Sequence, residues 1–134
     1  MQNLQLKSVN LFSRANLDKV LFLSCNIVIK NILVYKTSAG KCPFEEWFYK
    51  LDKTAQARIE KRLERVKENN YGDFKKLNSN ISELRFDFGS GYRIYFTEFN
   101  NIIILLLCAG DKSTQQNYIK KAETYLIELI NRNN

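Results

Sequence analysis

The stretch IIILLLCAG, residues 102–110, is apolar from end to end. A strand that faces water on one side alternates apolar and polar residues, because successive side chains point to opposite faces. A run without alternation is buried on both faces, so this strand sits at the centre of a sheet and is covered by helices. Every other element must be arranged around it. Gly110 and Asp111 break the run. Ser113 or Thr114 is placed to cap a final helix, whose packing face is Tyr118, Ala122, Tyr125, Leu126 and Leu129.

Upstream, ISELRFDFGSGYRIYF, residues 81–96, reads as a β-hairpin. In the first arm Leu84, Phe86 and Phe88 share one face, and Glu83, Arg85 and Asp87 share the other. In the second arm Tyr92, Ile94 and Phe96 are apolar, and Arg93, Tyr95 and Thr97 lie opposite. Gly89, Ser90 and Gly91 join the arms, where glycine supplies the positive φ that tight hairpin loops need. One side of the hairpin is therefore core. The other gathers Arg85, Arg93 and Tyr95, either as a site or as a solvated face on which Glu83 and Asp87 pair the arginines.

The remaining elements follow from spacing. Residues 27–35, IVIKNILVY, form a strand rich in β-branched residues. After a turn with Gly40 and Pro43, FEEWFYKL at 44–51 forms a short helix with Glu45 and Glu46 in its first turn and Trp47 as a core anchor. Asp52 or Thr54 caps a second helix that runs to about Asn69, with Ala55, Ile59, Leu63 and Val66 as its buried stripe. Arg58, Lys61, Arg62, Arg65 and Lys67 decorate its other faces, interleaved with Glu60, Glu64 and Glu68. This is a solvated face or a basic rail along a nucleic acid. DFKKLNSN then makes a loop carrying Lys75 and Lys76. The order is β-α-α-β-β-β-α, an α+β fold with a small antiparallel sheet, two N-terminal helices on one side and a C-terminal helix.

Composition narrows the chemistry. A chain of 134 residues is a one-domain length. Its net charge is +7, and residues 28–134 keep 18 basic and 13 acidic residues, so the excess belongs to the domain body. Such a domain meets acidic partners: nucleic acid, an acidic protein or a membrane surface. Residues 1–27 read as an appendage of mixed polarity, the product of an upstream start codon on one reading. Their short apolar run is too brief to span a membrane and poor as a signal peptide. Three cysteines without CxxC spacing argue for a reducing compartment and against a disulfide framework or a cysteine zinc site. There is no histidine, which excludes Ser-His-Asp and Cys-His catalysis and histidine metal sites. Chemistry must use Lys, Arg, Tyr, Asp or Glu.

VYKTSAGKCPFEEWFYKLD, RIEKRLERVKENNYGDFKKL, ISELRFDFGSGYRIYF and LLLCAGDKSTQQNYIKKA, in that order, resemble the RelE/ParE toxin superfamily, and within it the phage-derived addiction-module killer proteins of the HigB-like group. The resemblance covers roughly residues 28–125. It implies a RelE-like fold and a cytoplasmic toxin of a type II toxin–antitoxin pair. The toxin is held inactive by a cognate antitoxin, usually with a helix-turn-helix, through which the pair binds operator DNA. RelE-like members cut mRNA on the ribosome without cofactor or metal. ParE-like members poison DNA gyrase, and a relic would only bind its antitoxin; fold alone does not choose among these.

For metal-free RNA cleavage the 2′-hydroxyl attacks phosphorus, and positive charge must meet the negative charge that builds on the phosphate. The resemblance assigns this clamp to Arg93, in GYR. It places Arg85 beside it and Lys112, after Gly110-Asp111, as proton donor or phosphate ligand. Tyr118 falls where RelE-like enzymes place a tyrosine for stacking or acid–base work, and it equally fits the helix packing face. Tyr95 is a candidate for stacking on a base, Thr114 and Gln115 for RNA hydrogen bonds, and Lys75 and Lys76 for phosphate contacts. Where relatives often carry a lysine base in the first arm, this chain has Glu83, Arg85 and Asp87. The general base is therefore left open. Arginine is disfavoured by its high pKa, and a lysine amid positive charge is the better candidate.

Overall fold

The computed structural model describes residues 29–133. The proposed appendage, with Ile27 and Val28, lies outside them. The elements are β1 (Asn31–Val34), α1 (Pro43–Phe48), α2 (Lys53–Lys67), β2 (Phe74–Lys76), β3 (Ser82–Arg85), β4 (Tyr92–Phe99), β5 (Ile103–Asp111), a 3-10 turn (Lys112–Thr114) and α3 (Gln115–Arg132).

β5 takes the place its apolarity demands. Residues 103–110 are all buried, and β5 lies between β1 and β4 in a sheet of order β1-β5-β4-β3-β2. The α+β reading holds, with one correction. β1 pairs parallel with β5, Ile32 facing Ile104, so the sheet is mixed rather than wholly antiparallel. A hairpin forces antiparallel pairing on neighbours in sequence, but two helices and three strands separate β1 from β5 and leave either direction open. A second correction concerns DFKKLNSN. Phe74–Lys76 is an edge strand paired with β3, not loop. Short, lysine-bearing edge strands resist pairing with other chains.

Helices cover both faces of the sheet. Under α1 and α2, Ile32, Val34, Phe44, Phe48, Ile59 and Leu63 pack on Leu84, Ile94, Phe96 and Leu106. Under α3, Ala122, Leu126 and Leu129 pack on Tyr35, Tyr95, Leu105, Leu107 and Cys108. The register of β4 on β5 shifts between Tyr95 and Phe96, which face Cys108 and Leu106. Leu107 is the extra residue of this bulge. Leu105, Leu107 and Cys108 consequently all join the α3 core, and alternation resumes with Ala109 on the other face.

Local chemistry explains the helix starts. Pro43 opens α1, with Glu45 and Glu46 in the first turn. Trp47 packs on Phe44 and edge-on to Tyr92, with ring centroids 5.8 and 5.5 Å apart. Asp52, not Thr54, caps α2, accepting the Ala55 amide proton at 2.8 Å. The expected stripe of Ala55, Ile59, Leu63 and Val66 is buried, together with Gln56. The Gln56 amide donates to the carbonyls of Phe48 and Leu51 at 3.2 and 2.9 Å, tying α2 to α1. Among the described residues no helix is long and apolar enough to cross a membrane.

Arg62 corrects the reading of α2 as a purely decorated surface. Its guanidinium donates to three backbone carbonyls: Tyr71 at 2.7 Å, Asp73 at 2.6 Å and Arg85 at 2.9 Å. It also lies 4.7 Å from the Phe86 ring centroid. One side chain thus fastens α2 to the chain entering β2 and to the end of β3. Charge-assisted bonds of this kind contribute about 1.5–3 kcal/mol each, and a lysine cannot reproduce the fork. Arg62→Ala should cost about 3 kcal/mol and lower the melting temperature by more than about 10 °C, with Arg62→Lys recovering little of it. Thermal denaturation followed by circular dichroism checks this.

Candidate functional site

The C-terminal ends of β3 and β5, the start of β4 and the 3-10 turn converge at one end of the sheet. Arg85 faces Arg93 directly across the β3–β4 ladder, and Arg93 faces Gly110 across β4–β5. Two like charges directly opposite each other are destabilising, so each needs an opposing interaction. They find different ones.

The Arg85 Nε donates to Glu83 Oε1 at 3.0 Å. Glu83 is completely buried, and its Oε2 accepts from Gln115 Nε2 at 2.6 Å. This carboxylate therefore links β3 to the start of α3. The Tyr95 hydroxyl is buried beside it without a hydrogen bond. Burial, followed by the charge of Glu83, pushes the phenol far above its ordinary range, so it stays neutral.

Arg93 is held by the hairpin connection. Its Nη1 donates to the carbonyls of Tyr92, Gly91 and Phe86 at 3.1, 3.2 and 3.3 Å. Its Nε is buried and has no partner. An unpaired buried donor is costly. The guanidinium is thus fixed by one nitrogen, while the Arg93 side chain as a whole stays partly exposed. Gly91, at φ +77°, is what allows this. A Cβ there would sit 3.2 Å from the Lys112 Cβ and 3.8 Å from Arg93 Nη1, so Lys112 and Arg93 flank the same glycine.

Lys112 is exposed at the first position of the 3-10 turn. The cap of this turn is Asp111; Thr114 holds the N-cap position of α3, as expected, but its side chain makes no capping hydrogen bond there. The Asp111 Oδ1 accepts from the Ser113 amide and hydroxyl at 3.1 and 2.6 Å and from the Thr114 amide at 3.2 Å. The Ser113 hydrogen bond first, and those from Thr114 after it, hold the Asp111 carboxyl below its usual range. The turn aims Lys112 outward from the strand end.

The structure brings together Arg85, Arg93, Lys112, Gln115 and Tyr118. The Tyr118 ring lies over Gly110, where a Cβ would come within 2.5 Å of it, and Lys121 Nζ sits 4.9 Å from its centroid. Tyr118 is half-buried, so it packs with its ring and keeps an exposed part at the site. The Cys108 thiol donates to the Tyr118 carbonyl at 3.5 Å, and burial pushes it up to about 12, so it is no nucleophile.

Other candidates fare differently. Tyr95 is 0% exposed beneath α3 and cannot stack on a base, which corrects that expectation. Thr114 uses its hydroxyl on Asp111, donating to Oδ1 at 3.1 Å and to the carbonyl at 3.3 Å. The Gln115 amide is committed to Glu83. Lys75 pairs with Glu83 in the ladder and so lies on the arginine face, exposed at the sheet edge. Lys76 is the next residue and points to the opposite face. There it lines a separate groove of about 510 Å³ with Lys30, Tyr71 and Glu98, so it stands apart from Arg93.

The pairing of Glu83 with an arginine was expected and is seen with Arg85, but its sharing with Gln115 and the capping of the 3-10 turn by Asp111 were missed. Asp111 was within reach, because aspartate is a preferred capping residue and lies three positions before Thr114. Nothing local marks the sharing, since Gln115 is 32 residues from Glu83. Among the described residues no three or more Cys, Asp or Glu side chains gather as a metal-binding group.

Asp111→Ala should lower stability by about 1 kcal/mol at neutral pH through loss of the cap. Its folded-state pKa is depressed, so the stabilisation is present above the unfolded value of about 3.9 and disappears as pH falls through the folded value. Urea titrations of wild type and variant should differ at neutral pH and converge under strongly acidic conditions.

A family model described as phage derived protein Gp49-like matches residues 46–133, from within α1 through the whole of α3. An uncharacterized protein of Haemophilus influenzae is 45% identical over 87 residues, which is 64% of this chain and 88% of that protein. The matched family region contains Arg85, Arg93, Lys112, Gln115 and Tyr118. Gp49-like proteins are a toxin-like family related to RelE/HigB-type addiction modules. With the family model spanning both layers of the fold and the arginine end of the sheet, the chain belongs to the Gp49-like phage-derived family.

Proposed function

We propose that this chain is the toxin of a toxin–antitoxin pair and that it cleaves mRNA on the ribosome. The observation that carries the reading is Arg93. Its Nη1 is anchored to three turn carbonyls while its buried Nε is unpaired. The anchored guanidinium is a preorganised cation on a side chain that stays partly exposed, and its planar charge suits phosphate. As the 2′-hydroxyl gives up its proton to solvent, its oxygen bonds to phosphorus and the bond to the 5′-oxygen breaks, charge builds on the non-bridging oxygens, and the anchored Arg93 supplies the opposing charge. Lys112, flanking the same glycine, is the exposed ammonium that can give a proton to the departing 5′-oxygen. Arg85, steered by Glu83, supplies a second cation. Glu83 is sealed behind Arg85 and Gln115, so it positions them rather than taking the 2′-proton. Tyr118 offers the exposed part of its ring to a base.

The partners follow from this reading. A cognate antitoxin, carrying a helix-turn-helix for its operator, would cover the cationic end. The working compartment is the cytoplasm, where the mRNA and ribosomes are.

Cell-free translation tests the proposal. The wild-type protein should halt synthesis, and Arg93→Ala should reduce that activity by about 100-fold or more, as for loss of a preorganised transition-state donor. Arg93→Lys keeps the charge but loses the fork, and should also fail to restore activity. Translation arrest by a folded Arg93→Ala protein would overturn the assignment. Unaffected translation with inhibited gyrase supercoiling would replace it with the ParE-like reading.

A further inference from the structure

Lys120 and Lys121 stand side by side on α3, and their surroundings differ. Lys120 has Glu123 at i+3, an opposite charge at a helix-pairing distance. Lys121 has Asn117 and Tyr118 at i−4 and i−3, and Thr124 and Tyr125 at i+3 and i+4, so no carboxylate stands at any of these spacings. Among the described residues it makes no ion pair. Its side chain is exposed, and its ammonium lies over the Tyr118 ring, 4.9 Å from the centroid. Burial pushes the Cys108 thiol up, and the Lys121 charge is near enough to oppose that push. The charge therefore belongs to the end of β5 that carries Cys108 and Gly110.

The arginines occupy that same end. Tyr118 packs over Gly110, and Gly110 faces Arg93 across the β4–β5 ladder. Arg93 is two residues from Tyr95, whose ring lies under α3, so strand alternation puts the Arg93 side chain on the α3 face as well. Arg93, the Tyr118 ring and Lys121 thus share one face of the sheet.

We infer that Lys121 is a further substrate-binding residue of this site, holding the backbone phosphate of a nucleotide beside the bond that is cut. An unpaired ammonium at a half-buried aromatic ring matches what one nucleotide offers, a flat base and a phosphate joined through one sugar. An acidic protein side chain would use the ammonium and leave the ring idle. The inference rests on the proposed function, which puts RNA at this end of the sheet. It gives Lys121 a share in binding and none in the chemical step, which stays with Arg93 and Lys112.

Lys121→Met removes the charge and keeps an unbranched stem against the ring and a good helix former on α3. Lys120→Met is the control, the same charge change one residue away. Single-turnover cleavage of a defined mRNA on programmed ribosomes would be followed at rising protein concentration. Lys121→Met should raise the half-saturating concentration by about fivefold or more, with the saturating rate within about twofold of wild type. Lys121→Arg should recover most of the affinity, and Lys120→Met should behave as wild type does. A fall in the saturating rate at unchanged half-saturation would overturn the inference, because the stack would then only hold Tyr118 in place. Fluorescence anisotropy with single-stranded 2′-O-methylated RNA, which lacks the attacking hydroxyl, needs no cleavage. There the log–log salt slope should be smaller by about 0.7 in Lys121→Met, the loss of one phosphate contact. Equal affinity and slope for wild type and Lys121→Met would overturn the inference and leave cleavage dependent on Arg93 untouched. Wild-type protein that binds this RNA through Lys121 but cuts no mRNA would overturn the proposed function and leave the inference standing.

Discussion

β5 is buried on both faces, and that burial fixes where chemistry can occur. A strand whose every side chain from 103 to 110 is enclosed must have neighbours on both edges and helices on both sides. The interior of the sheet is then closed to substrate. Polar function is left to the strand ends, where the backbone leaves the sheet and glycine or a short turn exposes it. The arginine pair, Gly91, Gly110 and Lys112 all lie at such an end. α3 closes the rest of that face by packing Tyr118 onto Gly110 and Leu126 over the strands.

The energetics of that end are unusual for a surface designed only to be soluble. Arg85 and Arg93 are set opposite each other, a buried glutamate serves one of them, and the other keeps a buried unpaired Nε. Stability alone would favour an opposite-charge pair at this ladder position. A local arrangement that costs stability while the surrounding network holds it rigid is the signature of a binding site. Rigidity is visible in the bonds: three carbonyls hold Arg93, one carboxylate holds Arg85 and Gln115, and one cap holds the turn that presents Lys112.

Much of this was legible along the chain. The continuous apolarity of residues 102–110, the alternation of the hairpin and the helical stripe of Ala55, Ile59, Leu63 and Val66 each report a local period, and periods survive in sequence. Contacts set by pairing over long distances do not. The parallel docking of β1 on β5, the edge pairing of Phe74–Lys76 and the α3 cover that buries Tyr95 all depend on where distant segments come to rest. The bulge at Leu107 reverses the face of every later residue in β5, and an unbroken apolar run hides such a shift. Arg62 reads as one more helix cation until its three carbonyl partners, 9 to 23 residues away, are known. The resemblance carried in GYR and GDKSTQ points to residues that the fold gathers at one end of the sheet. It could not separate Lys75 from Lys76, which alternate across the sheet.

The central claim is that an arginine anchored by its own turn clamps a phosphate at a bond that is broken. Mapping 5′ ends on a defined mRNA, with and without ribosomes, tests it most directly when wild type and Arg93→Ala are run together. The account predicts new ends within codons that require ribosomes and vanish in Arg93→Ala. Intact mRNA under wild-type protein that still arrests growth would contradict it.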